Sequence, residues 1–102
     1  MSGKIVQINY RFSVSAAELG QSLAALAGDI AQVEGLRWKI WLMNEAASQA
    51  GGLYFFEGEA SANAYLTGPI VAGFAQHPAV RDVSVKLFDP DAELSDVTRG
   101  PI

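Results

Sequence analysis

Leu36-Arg37-Trp38-Lys39-Ile40-Trp41-Leu42-Met43 and Leu53-Tyr54-Phe55-Phe56 are two runs of β-formers and aromatics separated by Asn44 to Gly52, a stretch that ends in Gly51-Gly52. Such side chains fit a pleated, half-buried surface, and paired glycines punctuate a chain. The reading is a loop between two strands that form a hairpin. The first run carries Leu36, Trp38, Ile40 and Leu42 on one side and Trp41 and Met43 on the other, while the second run has no polar side at all. Large apolar groups on both faces require cover on both faces.

Upstream of the hairpin, Val6, Ile8, Tyr10 and Phe12 alternate with Gln7, Asn9 and Arg11, which predicts a strand with one apolar face. Met1-Ser2-Gly3-Lys4 leads directly into it. Ser15-Ala16-Ala17-Glu18 fits a capping box, and Leu19, Leu23, Leu26, Ile30 and Val33 follow at helical spacing, so a helix resting on a core is expected to end near Gly35 in a left-handed cap. Downstream, Ala60 to Gln76 is alanine-rich and helical, but Gly68-Pro69 interrupts it, because proline lacks the amide hydrogen and its predecessor avoids helical angles. A broken second helix follows from that. Val83, Val85 and Leu87 alternate with Ser84, Lys86 and Phe88 in a last strand closed by Asp89-Pro90, leaving a polar tail over about 90–102.

The element order is therefore β-α-β-β-α-β, the ferredoxin-like α+β arrangement, in which right-handed crossovers place both helices on one face of a four-stranded antiparallel sheet. Simple alternation projects Gln7, Asn9, Arg11, Lys39, Trp41, Met43, Leu53, Phe55, Lys86 and Phe88 onto the opposite, bare face. Burying each large side chain of that set is worth about 1.5 to 3 kcal/mol, so the face is expected to be covered by a second copy of the sheet. Two sheets packed in this way make a dimeric α+β barrel with a partly apolar, partly polar interior, the character of a small-molecule site.

Composition agrees. The chain has 102 residues, one domain's worth over 1–102, with 50% hydrophobic and only 18% charged residues. A small domain buries a limited share of its surface, so the apolar surplus points to a cavity or a homodimer interface. Seven bases against 11 acids give a net charge of −4 without any basic cluster, which argues against nucleic acid and anionic membranes as partners. The absence of cysteine excludes disulfides, thiolate catalysis and thiolate metal sites and is compatible with a reducing cytoplasm, the expected location. The apolar stretches are too short and interrupted for a membrane span or signal peptide.

Gly35-Leu36-Arg37-Trp38-Lys39-Ile40-Trp41, Ala50-Gly51-Gly52-Leu53-Tyr54-Phe55-Phe56, Ser61-Ala62-Asn63-Ala64-Tyr65-Leu66 and Val85-Lys86-Leu87-Phe88-Asp89 resemble the YdhR family of small proteins assigned as monooxygenases. The likeness runs from about Lys4 to Ser95, and tryptophan-lysine-isoleucine-tryptophan followed by an alanine-glycine-glycine strand is its most specific element. It implies a dimeric α+β barrel related to the antibiotic-biosynthesis monooxygenases, which oxidise aromatic substrates with neither metal nor flavin. The chain departs from the family pattern at Gly68-Pro69, where a continuous helix is usual, and at Asn9, where a histidine can stand.

Oxygenation without a cofactor needs an ionisable substrate, a proton acceptor, donors to hold the anion and a dry cavity. Lys39, Lys86 and Arg11 are candidates for cationic stabilisation, Asn9 and Gln7 for orienting a ligand, and Trp41, Phe55 and Phe88 for stacking on an aromatic ring. In this reading Lys39 and Lys86 bracket the cavity from opposite edges of the bare face, each followed two residues later by an aromatic wall, Trp41 or Phe88. The bland alternative is that the lysines run to the rim and the aromatics fill a dimer core. No residue stands out as the catalytic base. His77, the lone histidine, sits in Gln76-His77-Pro78 at a helix end, a capping position. A metal is not expected, since one histidine and scattered acids offer no ligand set, and no glycine pattern cradles a nucleotide phosphate, so no cofactor is expected either. Ser13, Ser15 and Ser61 read as loop or cap residues, and Tyr54 and Tyr65 as core. The expectation is a cofactor-independent monooxygenase acting on an aromatic or phenolic molecule inside the barrel, the alternative a dimer of the same fold that binds a hydrophobic molecule without chemistry.

Overall fold

The alternation at Val6, Ile8, Tyr10 and Phe12 becomes strand β1, Lys4–Phe12, with those side chains buried. The computed structural model describes residues 3–102; Met1 and Ser2, the head of the lead into β1, lie outside the described residues. Ser15 caps helix α1, Ala16–Ala31, its hydroxyl accepting the Glu18 amide at 3.1 Å, as the capping box predicts. α1 ends at Ala31, earlier than the apolar spacing suggests, and Gly35, at φ 83°, instead turns the chain into strand β2, Leu36–Asn44. A left-handed angle of this kind is what glycine supplies at low cost.

β2 and strand β3, Gln49–Phe56, form the expected hairpin, but its connection is shorter than predicted: a 3-10 turn at Glu45–Ala47 and Ser48 suffice. Gly51 and Gly52 therefore lie inside β3, not in the loop. Helix α2, Glu59–Leu66, and helix α3, Pro69–Ala75, are the two parts of the broken second helix, with Pro69 opening α3 where its missing amide hydrogen costs nothing. Strand β4, Val80–Phe88, pairs with β1 and carries a bulge in which Asp82 and Val83 oppose Tyr10, with Asp82 at φ 53°. The tail is not merely polar. It contains helix α4, Ala92–Val97, capped by Asp91, and runs across to the far edge of the sheet, where the Trp38 indole donates to the Pro101 carbonyl at 2.8 Å.

The four strands are antiparallel in the order β2-β3-β1-β4, and α1, α2 and α3 lie on one face, the ferredoxin-like α+β fold that the element order predicts. Its core has two centres on the helix side. Val6, Ile8, Ile30, Tyr54, Phe56, Ala62 and Tyr65 form one, and Tyr10, Phe12, Leu19, Ala50 and Val80 the other. No helix among the described residues is long and apolar enough to cross a membrane.

One irregularity decides which face Lys39 and Trp41 take. The β2–β3 register shifts between Leu36 and Trp38, so Leu36 lies opposite Phe56 but Trp38 lies opposite Phe55. Side chains alternate along a strand, and one extra residue reverses the face of everything after it. Leu36, Lys39, Trp41 and Met43 consequently share the helix side with Tyr54 and Phe56, while Trp38, Ile40 and Leu42 join Leu53 and Phe55 on the bare face. The simple alternation that projected Lys39, Trp41 and Met43 onto the bare face is corrected by this bulge.

Candidate functional site

The register shift carries Lys39 into an apolar pocket between the sheet and the helices of a single chain, one lining residue of which, Trp41, is 39% exposed. Ile8, Tyr10 and Tyr54 from the inner strands and Lys39 and Trp41 from β2 form its floor, and Leu23, Leu26 and Ile30 of α1, Tyr65 of α2 and Ile70 and Phe74 of α3 close it above. The pocket lies on the helix side, whereas the sequence reading set Lys39 and Trp41 on the bare face. Its free room of about 30 Å³ holds roughly two water molecules and is too small for an aromatic ring as it stands. A separate groove of about 410 Å³ runs between α1 and α3 past Leu19, Gly73 and His77.

The Lys39 ammonium nitrogen lies 3.3 Å from the centre of the Trp41 ring and 4.6 Å from that of Tyr54. Glycine at position 52 makes this possible: Gly52 pairs with Trp41 across the hairpin, and a Cβ there would lie 2.6 Å from Lys39 Cε. Gly52, which reads as loop punctuation, is thus the floor over which the lysine passes. Among the described residues Lys39 has no carboxylate partner, whereas Lys4 pairs with Asp89 and Glu59. Burial lowers the Lys39 pKa to about 8, because the charged form loses hydration that no counter-ion replaces.

Three phenols share the pocket. The hydroxyls of Tyr54 and Tyr65 lie 3.1 Å apart and hydrogen-bond to one another. Burial pushes Tyr10 up to about 12 and raises Tyr54 further, with the neighbouring Tyr65 and Tyr10 adding to the shift. Burial also raises Tyr65, offset in part by its bond from Tyr54. All three therefore act as neutral hydrogen-bond donors across the ordinary pH range. Tyr65 and Ile70 also line a groove of about 800 Å³ that carries Glu34, Arg37, Glu57 and Ser61, so Tyr65 stands between the inner pocket and the outside.

The residues singled out by sequence do not form one site. Lys39 and Trp41 meet in the pocket. Asn9, Arg11, Phe55, Lys86 and Phe88 lie on the other face, where Phe55 packs on Trp38 with ring centres 5.7 Å apart, Phe88 lies opposite Ile5, and Arg11 and Lys86 are exposed. Asn9 borders a shallow groove with Leu42, Gln49 and Ser84. His77 accepts the Ala79 amide at its Nδ1, 3.1 Å away, in keeping with a helix-end role. The sequence reading takes Tyr54 and Tyr65 as core and sets Tyr10 on the apolar face of the first strand; the available signal is a phenol repeated along otherwise aliphatic and aromatic stretches.

The model of the family described as "Putative mono-oxygenase ydhR" matches residues 5–101. The chain belongs to the YdhR family. No curated protein gives a significant sequence match. Solved structures share the fold at low identity. A protein of unknown function from Nitrosomonas europaea superposes with a TM-score of 0.74 at 19% identity, over 88% of this chain and 90% of that one. SnoaB, a cofactor-independent oxygenase from Streptomyces nogalater, gives 0.73 at 13% identity over 89% and 95%. MhuD, a heme-degrader from Mycobacterium tuberculosis whose active site holds two hemes, gives 0.65 at 21% over 84% and 94%. For this YdhR-family chain these likenesses establish the fold.

Proposed function

We propose that the helix-side pocket binds a phenolic aromatic molecule and promotes its oxidation by O2 without a metal or organic cofactor. The observation that carries this reading is a single basic nitrogen, free of any carboxylate among the described residues and set among aromatic faces, in an otherwise apolar pocket with neutral phenol donors. A ligand anion is held by the Lys39 ammonium and by a phenol hydrogen, and the interaction is strong because water is scarce. An ionised phenol with an activated ring CH2 can give electrons to O2 directly: one oxygen atom enters as C=O and the other leaves as water with the two hydrogens of that carbon, so no external reductant is consumed. Membership of the YdhR family and the shared fold with SnoaB support this reading.

The bare face fits a second role. Ile40 and Phe88 on it are 49% and 47% exposed, beside Trp38, Leu42, Leu53 and Phe55. We infer that a second copy covers it and that the pair forms an α+β barrel, the site of each chain lying outside the sheet-to-sheet interface.

The test of the activity is oxygen consumption with a panel of anthrone-like phenols, quinols and polyphenols. Turnover above background that is lost in Lys39→Met supports the proposal. Background rates across the panel, with a ligand bound tightly and recovered unchanged, would favour the non-catalytic binding protein.

A further inference from the structure

Resting on the reading of the pocket as the site of a phenol, we propose that the Lys39 amine is the proton acceptor that ionises the bound ligand. The transfer is simple to balance: the phenol O–H bond breaks, an N–H bond forms on Nζ, and neutral amine plus neutral phenol become an ammonium–phenolate pair with no change in total charge.

The surroundings of Lys39 single it out. The other ionisable groups lining the pocket are Tyr10, Tyr54 and Tyr65, and a phenol whose own ionisation is suppressed cannot take a proton from another phenol. α1 presents Leu23, Leu26 and Ile30, α3 presents Ile70, Val71 and Phe74, and β4 presents Val83, none of which titrates. Arg37, two residues before Lys39, lines a groove beside it on the outer side and is permanently charged, so it cannot accept. His77 borders the separate groove between α1 and α3.

A base must also tolerate both of its protonation states. The apolar lining favours the neutral amine, and the lowered pKa of about 8 expresses that. The faces of Trp41 and Tyr54, 3.3 and 4.6 Å from the nitrogen, then stabilise the ammonium once it forms. With no carboxylate attached among the described residues, the ammonium is left free to pair with the anion it creates.

The test is calorimetric titration of the protein with 4-methylphenol under argon at about pH 9, where an amine of pKa about 8 is mostly neutral and a phenol of pKa about 10 is mostly un-ionised. Running it in buffers of different ionisation heat gives the protons exchanged, and ultraviolet difference spectra report whether the bound phenol is a phenolate. The expected wild-type result is a phenolate spectrum with no net proton exchanged, because the proton moves from ligand to Lys39. Transfer from a phenol of pKa about 10 to an amine of pKa about 8 is uphill by about two pKa units, and the attraction between the ammonium and phenolate formed in contact, in surroundings of low dielectric, offsets it. Lys39→Arg, which keeps the cation but cannot accept, is expected to bind the phenolate and release about one proton to buffer. Lys39→Met is expected to bind the neutral phenol about tenfold more weakly, without a phenolate spectrum. Wild-type binding with an un-ionised spectrum, or with release of a proton as in Lys39→Arg, overturns Lys39 as the acceptor while leaving the phenol site standing. Absence of wild-type binding overturns the phenol site and the acceptor together. The deciding measurements are on the wild-type protein, so the proposal does not depend on either variant folding.

Discussion

The Lys39 nitrogen stands 3.3 Å from the centre of the Trp41 ring, and the two residues, separated by one position on β2, face the helices together because the strand bulges before them. A lysine over an indole gains about 0.5 to 2 kcal/mol as a cation, the larger figure when desolvated. Burial acts in the opposite sense and prevails, since the net pKa is lowered to about 8.

Trp41→Leu separates the two effects. Leucine keeps the pocket apolar but withdraws the aromatic face, so the Lys39 pKa is expected to fall further, by about 0.5 to 1 unit at 1.36 kcal/mol per unit. Carbon-13 NMR of the Lys39 Cε resonance against pH measures it. A pKa rising toward 10.5 would mean instead that the indole works chiefly by excluding water.

The same group gives stability a pH signature. Lys39 titrates near 8 when folded and near 10.5 as the ordinary value, so between those values the unfolded chain binds more protons and stability rises with pH. Below about 8 both states are protonated, the cost of burying the charge is fully present, and the curve is flat in this respect. Tyr10, Tyr54 and Tyr65 act oppositely: their raised pKa values keep protons on the folded chain, so stability falls as pH rises above about 10. Urea midpoints of the wild type are therefore expected to climb from pH 8 to about 10 and then decline. Lys39→Met is expected to lack the climb and to be the more stable by about 2 kcal/mol at neutral pH, a discounted figure because the amine is not fully enclosed. Parallel wild-type and Lys39→Met curves would show that the amine stays hydrated.

Much of this architecture is legible in the residues. The cap at Ser15, the stripe from Leu19 to Ile30, the break at Gly68-Pro69 and the alternation in β1 each follow from a local rule, and together they fix the fold. The site is less legible because it depends on the face of β2. A bulge is a matter of pairing between strands, and nothing in Leu36-Arg37-Trp38 distinguishes a regular strand from one that slips by a residue when both faces are apolar. Lys39 and Trp41 were singled out for their chemistry and set on the wrong side for that reason. Tyr54 and Tyr65 were seen as core because a phenol in an apolar run looks the same whether its hydroxyl meets a partner or a ligand.

The bare face supplies a test of assembly that spares the fold. Ile40 is 49% exposed in the single chain, so Ile40→Asp is expected to cost the isolated chain less than about 1 kcal/mol while placing an unpaired carboxylate in the middle of the inferred sheet-to-sheet contact. Sedimentation is expected to show a dimer for the wild type and a folded monomer for the variant at micromolar concentration. A dimer that survives Ile40→Asp would locate the contact elsewhere.

The adjacent glycines of β3 are expected to respond differently to the same added methyl group. A Cβ at Gly51 would lie 2.0 Å from the Ile8 carbonyl oxygen and 2.8 Å from Asn9 Oδ1. The first of these is backbone of the neighbouring strand and cannot yield without parting β1 from β3. At Gly52 the nearest atom is Lys39 Cε at 2.6 Å, near the end of a flexible side chain, with a ring carbon of Tyr54 next at 3.1 Å. Gly51→Ala is therefore expected to cost about 3 kcal/mol or more, at or beyond the upper end of ordinary overpacking, and to lower the melting temperature sharply. Gly52→Ala is expected to cost about 1 kcal/mol, to swing Lys39 off the Trp41 face toward water, and so to return its pKa part of the way to 10.5 with loss of the phenolate spectrum of bound 4-methylphenol. Equal destabilisation by the two substitutions, or a Gly52→Ala protein in which Lys39 still titrates near 8, would show that Gly52 serves the sheet and not the passage of the lysine across it.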